Sequence, residues 1–360
     1  MQKRFRGFLI KEWLFLLSFS FFSITSYLLK SLPHYTQKEL VPIFLLFSLF
    51  VVVKGIENSN LLQKTASTLE KGSMLPQKLL FITFILSSII TIDVALITML
   101  PIVLSLKIKE KEKLTILVAF TAHIGAALTP FGTPQNLFIY SFYGVDPYTF
   151  VKTIAPFSLS LLLLFFISSF FIKVEQIDIK YREKKVDKAS AYIYLILFTT
   201  IVLSILHIFS VNIVFLVLLF ILFFDKKSFK IDYFLLFTFL IFIGLTTNIK
   251  LMIGSMIYHP HHVFILSSIM SQFISNVPTT LLLNKFTTQW EALLWGSNVG
   301  GFGSIVAALA NLITYKIYLS HNSGKNIKSF LVQFIFFGYL TFIVGYILYF
   351  IYFSYLFKIF

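Results

Sequence analysis

The chain has 360 residues, is 58% hydrophobic and only 12% charged, lacks cysteine and carries a formal charge of +15. So apolar a composition belongs in a bilayer, as an all-α polytopic membrane protein, and leaves no stretch for a separate soluble domain. The absence of cysteine excludes disulfides and thiol nucleophiles, and the basic residues sit in short loops between apolar runs, which is a topology signal and not nucleic-acid binding.

A crossing of the bilayer core takes about 20 apolar residues. Lys3, Arg4 and Arg6 precede the first apolar run, and no small-residue cleavage site follows, so 13–30 is expected as a span and not a signal peptide. Lys11 and Glu12 lie at its interfacial end. A second span is expected at 40–56, then an amphipathic interfacial segment at 60–73. Segment 77–105 is apolar except at its centre, Thr91-Ile92-Asp93. An interrupted span at 114–144 and an uninterrupted one at 150–172 follow. The stretch 191–224 is expected as two spans, 191–208 and 211–224, because one helix of that length would run about 50 Å. A span at 233–249 precedes segment 261–283, again polar at its centre, Ser275-Asn-Val-Pro-Thr279. The chain closes with an interrupted span at 290–316 and a span at 329–357.

The two interruptions match each other. His123-Ile-Gly-Ala-Ala-Leu-Thr-Pro-Phe-Gly-Thr-Pro-Gln-Asn136 aligns with Asn298-Val-Gly-Gly-Phe-Gly-Ser-Ile-Val-Ala-Ala-Leu-Ala-Asn311 at a constant offset of 175. That offset pairs Gly125 with Gly300, Thr129 with Ser304, Asn136 with Asn311 and Tyr140 with Tyr315. Two shorter repeats keep the same order: Phe44-Leu-Leu-Phe47 with Phe234-Leu-Leu-Phe237, and Phe84-Ile-Leu-Ser-Ser88 with Phe264-Ile-Leu-Ser-Ser268. They divide the chain into an N-terminal span and loop (1–39), a first repeat (40–172), a linking region with two spans (173–232) and a second repeat (233–360).

Charge decides how the two polar-centred segments run. If both are re-entrant hairpins, twenty-four of the 30 Lys and Arg residues share one side of the membrane. By the positive-inside rule that side is the cytoplasm. Making both segments full spans scatters these clusters. The expected architecture is therefore about nine spans plus two re-entrant hairpins, with the N-terminus cytoplasmic and the C-terminus external. Five crossings separate the starts of the repeats, so the repeats are inverted in topology, with two broken helices. Paired breaks of this kind mark binding sites, because unwound backbone survives in a bilayer only where protein or a cavity satisfies it.

The candidate binding residues follow from the breaks and tips. Thr133 is placed to cap a new helix with Pro134 in its first position, and Ser304 to cap the helix that carries Asn311. Pro278 is expected to start the outgoing arm of the second hairpin. Thr133, Pro134, Asn136, Ser275, Asn276, Thr279, Ser304 and Asn311 are the candidate substrate contacts. Asp93 is the single carboxylate expected deep in the membrane, suited to a sodium ion or a proton, or else to structural hydrogen bonds from hairpin N–H groups. With it go Thr91, His123, Gly125, Thr129, Asn298 and Gly300 as ion-coupling candidates. His123 is a proton-exchange partner or a hydrogen-bonding strut. The His259-Pro-His-His262 run is read as a solvated loop. No cofactor is expected beyond Na+ or H+ as a coupling ion.

These same residues resemble the ion transporter superfamily: arsenite permeases, D-type sodium/proton antiporters, citrate transporters and divalent-anion:sodium symporters. The stretch 124–136 is similar to that group's first helix-break motif and 296–303 to its second. Asp93-Val-Ala-Leu-Ile-Thr-Met-Leu-Pro101 resembles its first hairpin, and Ser271-Gln-Phe-Ile-Ser-Asn-Val-Pro278 its second. The resemblance implies a scaffold domain, a moving transport domain that holds both hairpins, an elevator-type cycle and a homodimer. The symporters carry Ser-Asn-Thr at both tips, whereas this chain has Thr91-Ile92-Asp93 and Ser275-Asn276-Val277. The aspartate leans toward the arsenite, citrate and antiporter branches. The expected function is secondary active transport of a small inorganic or organic anion across the plasma (bacterial inner) membrane. A sodium/proton antiporter or arsenite-type permease is the alternative, and a channel or a membrane-embedded enzyme the remote ones. No metal triad, Ser/His/Asp set or Asp pair on neighbouring spans is visible to support an enzyme.

Overall fold

The computed structural model describes residues 12–61, 74–106, 110–172, 186–322 and 326–356. Of the described residues 81% are helical, and none is in a strand. The helices are α1 (Trp13–Leu29), α2 (Gln37–Asn58), α3 (Leu75–Ile89), α4 (Ile92–Ser105), α5 (Lys111–Ala127), α6 (Pro134–Tyr143), α7 (Pro147–Ser169), α8 (Lys188–Ile205), α9 (Asn212–Phe224), α10 (Tyr233–Ile253), α11 (Pro260–Ile274), α12 (Asn276–Leu283), α13 (Trp290–Val299), α14 (Leu309–Asn322) and α15 (Ile327–Leu356). Most of the proposed amphipathic stretch at 60–73, and the basic residues at 107–109 and 173–185, fall outside the described residues.

Among the described residues five helices, α2, α7, α8, α10 and α15, are long and apolar enough to cross a membrane. The rest are shorter, and their lengths are informative. α6 and α13 have 10 residues each, so each rises about 15 Å, half of a hydrocarbon core. Each is one limb of an interrupted segment. Segments 77–105 and 261–283 are both helix pairs, α3–α4 and α11–α12, bent at the polar centres seen in the sequence.

Polar residues set many of the ends. Asp146, Asp187 and Asp232 cap α7, α8 and α10 by accepting the backbone N–H three residues on. Thr36 and Glu39 form a reciprocal capping box at α2. The stretch 191–224 does break into two helices, at a turn that carries His207 with φ 60°. One expectation is corrected: His261 belongs to the first turn of α11, where its Nδ1 lies 3.3 Å from the Tyr349 hydroxyl, so it is not part of a solvated loop.

Packing separates a centre from a rim. The most apolar window of α2 is 61% buried, against 28% for α15. Phe171, Phe223 and Phe224 are each more than 70% exposed, which suits a lipid-facing surface. At the centre, α3 lies along α5 and α11 along α13. The approach is close enough that a Cβ on Gly125 would strike the Ser87 hydroxyl and the Phe84 carbonyl, and one on Gly300 would strike Ser271.

Candidate functional site

The site begins with two stretches of backbone that have left the helix. Between α5 and α6, residues 128–133 are non-helical, and between α13 and α14 residues 300–308 contain only one 3-10 turn, Ile305–Ala307. Their carbonyls need partners inside the protein. In the first break the Asn136 amide supplies them: Nδ2 donates to the carbonyls of Ala127 at 3.0 Å, Thr129 at 3.3 Å and Ala126 at 3.4 Å. In the second, Asn311 Nδ2 donates to the carbonyls of Gly301 at 2.9 Å and Ser304 at 3.0 Å. Ala126 and Thr129 stand 175 residues before Gly301 and Ser304, the offset of the sequence repeat.

Each break is also tied to the incoming arm of its neighbouring hairpin. Thr129 Oγ1 donates to the Ser88 carbonyl at 3.0 Å, and Ser88 Oγ donates to the Gly125 carbonyl at 2.9 Å. In the second half Ser304 Oγ donates to the Gln272 carbonyl at 3.0 Å, and Gln272 Nε2 donates to the Gly300 carbonyl at 2.8 Å. Ser88 therefore plays the part of Gln272. That pairing has an offset of 184, which also aligns the tip residues Thr91 and Ser275. The Phe-Ile-Leu-Ser-Ser repeat, at an offset of 180, is one helical turn out of register with these contacts.

The helix starts differ. Thr133 occupies the cap of α6 and accepts from Asn136 N at 3.4 Å, with Pro134 in the first position. Ser304 does not cap α14: that helix begins five residues later at Leu309, and the serine hydroxyl is bound to Gln272 instead. Pro278 does not start α12 either; the helix begins at Asn276, and Pro278 lies in its first turn. Ser275 at that tip adopts φ 72° and ψ 154°, a region favourable essentially to glycine. Thr91 at the first tip is plainly extended, φ −156° and ψ 160°.

The two halves touch through amides. Asn298 Nδ2 donates to Asn136 Oδ1 at 2.9 Å, joining α13 to α6. His123 Nε2 lies 3.2 Å from the Asn298 carbonyl, which only accepts, so Nε2 carries the proton. The His123 ring also rests on Phe302, centroids 4.7 Å apart.

These elements enclose a cavity of about 170 Å³. Its inner wall carries Ile92 and Asp93 from the first tip, Thr133, Pro134 and Gln135 from the start of α6, and residues 275–278 from the second tip, with His123 beside them. Its outer wall carries Glu12 and Asp232, the N-caps of α1 and α10, and Lys316 from the middle of α14. The Asp93 carboxylate has no hydrogen bond or ion pair among the described residues, and the Thr91 hydroxyl is buried without a partner. A charge left without a counter-group in such a place is suited to a cation or a proton.

Of the residues singled out in the sequence, Asp93, His123, Thr133, Pro134, Ser275 and Asn276 line this cavity. Thr91, Gly125, Thr129, Asn136, Asn298, Gly300, Ser304 and Asn311 form a layer behind it. Thr279 also lies outside the lining, its hydroxyl donating to the Ser275 carbonyl at 2.8 Å. The amide donors of Asn136 and Asn311 are turned onto the break backbone and away from a solute. Sequence reasoning missed Gln135, Gln272 and the three charged residues at the mouth. The offset of 184 between the tips was a signal for Gln272, because it sets that residue opposite Ser88.

Comparison with known proteins agrees with this geometry. A family model described as a citrate transporter matches residues 15–300. A Methanocaldococcus jannaschii protein named as an uncharacterized transporter is 31% identical over 326 residues, covering 84% of this chain and 88% of the relative. An Escherichia coli protein named as an inner membrane protein is 28% identical over 300 residues, covering 76% of this chain and 79% of the relative.

Proposed function

The chain belongs to the citrate transporter family, within the ion transporter superfamily, and from that premise we propose a secondary active transporter that moves a small anion, coupled to Na+ or H+, by an elevator-type cycle. Membrane transport is the activity of the family; the chain is a transport protein and not an enzyme. The observation that carries the finer reading is the meeting of two hairpin tips and the capped start of α6 on one cavity, with Asp93 unpartnered in its wall. Helix starts at α6 and α12 direct backbone N–H groups toward the solute, and Asp93 takes the coupling cation.

The matched ties at offsets of 175 and 184 support two inverted repeats, and the helix list accommodates nine spans with α3–α4 and α11–α12 as hairpins. The bias of Lys and Arg favours a cytoplasmic N-terminus and an external C-terminus in a plasma membrane. The family resemblance favours a homodimer. One observation favours a second reading: among the described residues the cavity wall holds, besides Glu12, two carboxylates, those of Asp93 and Asp232, against one lysine, Lys316. That balance suits a sodium/proton antiporter, with no anion as cargo.

A proteoliposome screen of anions, citrate among them, under separately imposed sodium and proton gradients distinguishes the two. Anion uptake that needs one gradient supports symport. Collapse of a pH gradient on adding Na+, with no anion uptake, moves the assignment to antiport. Single-channel current would remove both.

A further inference from the structure

The cavity is lined at one end by the exposed Asp232 and Lys316, and a different group of charges lies at the other end of α10. Asp232 caps α10 at the cavity mouth, while Thr247 and Lys250 sit fifteen and eighteen residues along the same helix, about 22 and 27 Å away. There Lys285, just beyond α12, forms an ion pair with Glu39 in the first turn of α2. The Glu39 side chain is 1% exposed and that of Lys285 16%. Lys285 Nζ also donates to Thr247 Oγ1 at 2.6 Å, and Lys250 Nζ donates to the Lys285 carbonyl. On the other side of the same loop, the Tyr143 hydroxyl at the end of α6 donates to the carbonyls of Asn284 at 2.9 Å and Thr287 at 3.1 Å. The loop after the second hairpin is therefore fastened to the hairpin-and-break body on one side and to α2 and α10 on the other.

We propose that the Glu39–Lys285 pair is a latch that holds the far side of the transporter shut while the cavity stands open at the Glu12–Asp232–Lys316 end. The proposal rests on the alternating cycle put forward above. Opening the far side requires the second hairpin to leave α2 and α10, and the pair spans that boundary. A buried pair suits a latch because parting it exposes two charges that are satisfied only together. Glu39 has a second duty, accepting from Thr36 N at 2.7 Å, which glutamine also fulfils.

The natural absence of cysteine makes the test direct. Leu309→Cys in the cavity wall reports access, read with a membrane-impermeant thiol reagent on inside-out and right-side-out vesicles. With the pair intact, the thiol is expected to react at least about tenfold faster from the mouth side. In the neutral double variant Glu39→Gln/Lys285→Met that ratio falls at least about tenfold, equivalent to about 1.4 kcal/mol. The charge swap Glu39→Lys/Lys285→Glu restores it. An unchanged ratio in the folded double variant overturns the latch, as does a swap that behaves like the neutral pair. Should the double variant fail to fold, Thr247→Val, which removes one contact of Lys285, is expected to lower the ratio about twofold to threefold; no change overturns the latch. A thiol reached from both sides with equal ratios in every variant counts against the latch alone. A thiol never reached from the far side counts against the alternating cycle as well.

Discussion

The two helix breaks do the same job with different parts. In the first, a threonine cap, a proline in the first helical position and a single asparagine satisfy the unwound backbone. The second has no capped helix start; a glutamine from the neighbouring hairpin takes three of its backbone groups, at Gly300, Phe302 and Ser304. The tips diverge in the same way. The first carries a carboxylate on relaxed backbone, and the second carries Ser275 in a strained conformation with Val277 where the first has Asp93. What the bilayer demands of both is satisfaction of the backbone, and that requirement fixes the asparagine, not its surroundings. Charge is free to differ, and of the two tips only the first has it.

The largest test of this asymmetry is Asp93→Asn. The variant is expected to insert and fold, because the carboxylate holds no structural hydrogen bond, yet to lose ion-driven uptake. Normal gradient-driven transport by this variant would make Asp93 structural and the two tips equivalent.

Next come the shared asparagines. Asn136→Leu leaves three carbonyls and the Asn298 amide without their partner, and is expected to destabilise the protein by about 3 kcal/mol or more; Asn311→Leu, with two carbonyls, by about 2 kcal/mol. Each should also weaken solute or ion affinity at least about tenfold as the breaks shift. Thermal unfolding in detergent and binding titration read the two effects, with Asn212→Leu as a nearly neutral reference. Equal small effects at all three positions would remove the breaks from the site.

A finer comparison sets Gln272→Leu against Ser88→Ala. The glutamine is expected to cost about 2–3 kcal/mol and the serine about 1 kcal/mol, since the second break leans on its hairpin more than the first does. Equal losses would show that both hairpins support their breaks alike.

The smallest effect concerns Asp146, whose carboxyl is held below the usual carboxylate range by its hydrogen bonds with Thr149 at the start of α7. Its folded pKa is depressed, so its contribution is fully present above an unfolded value of about 3.9 and fades as pH falls through the folded one. Unfolding of Asp146→Asn between pH 3 and 5 should lack the corresponding slope, and an identical pH profile would mean that the cap is open in solution.

Much of this was legible in the sequence. Apolar runs alone gave most helix limits to within a few residues, and Asp93, Thr133 and the paired asparagines declared themselves as polar groups where lipid tolerates few. The failures have physical causes. A shift of four residues returns a helix nearly to the same face, so the Phe-Ile-Leu-Ser-Ser repeat looked right while lying one turn off. Ser304 follows a glycine as a cap would, but the nearby Gln272 competes for its hydroxyl and backbone. Glu12, Asp232 and Lys316 are far apart in sequence, and the first two sit at helix starts, where charge usually means only proximity to water.

The cavity has an electrical consequence. If water fills the cavity up to the hairpin tips, it carries the potential of its own compartment inward, and the membrane voltage falls across the layer that the proposed latch closes. A transfer of one net charge through that thin layer is worth about 2.3 kcal/mol per 100 mV. In the cycle proposed above Asp93 stands at the edge of that layer, so the net charge it carries across contributes directly to the voltage dependence of transport.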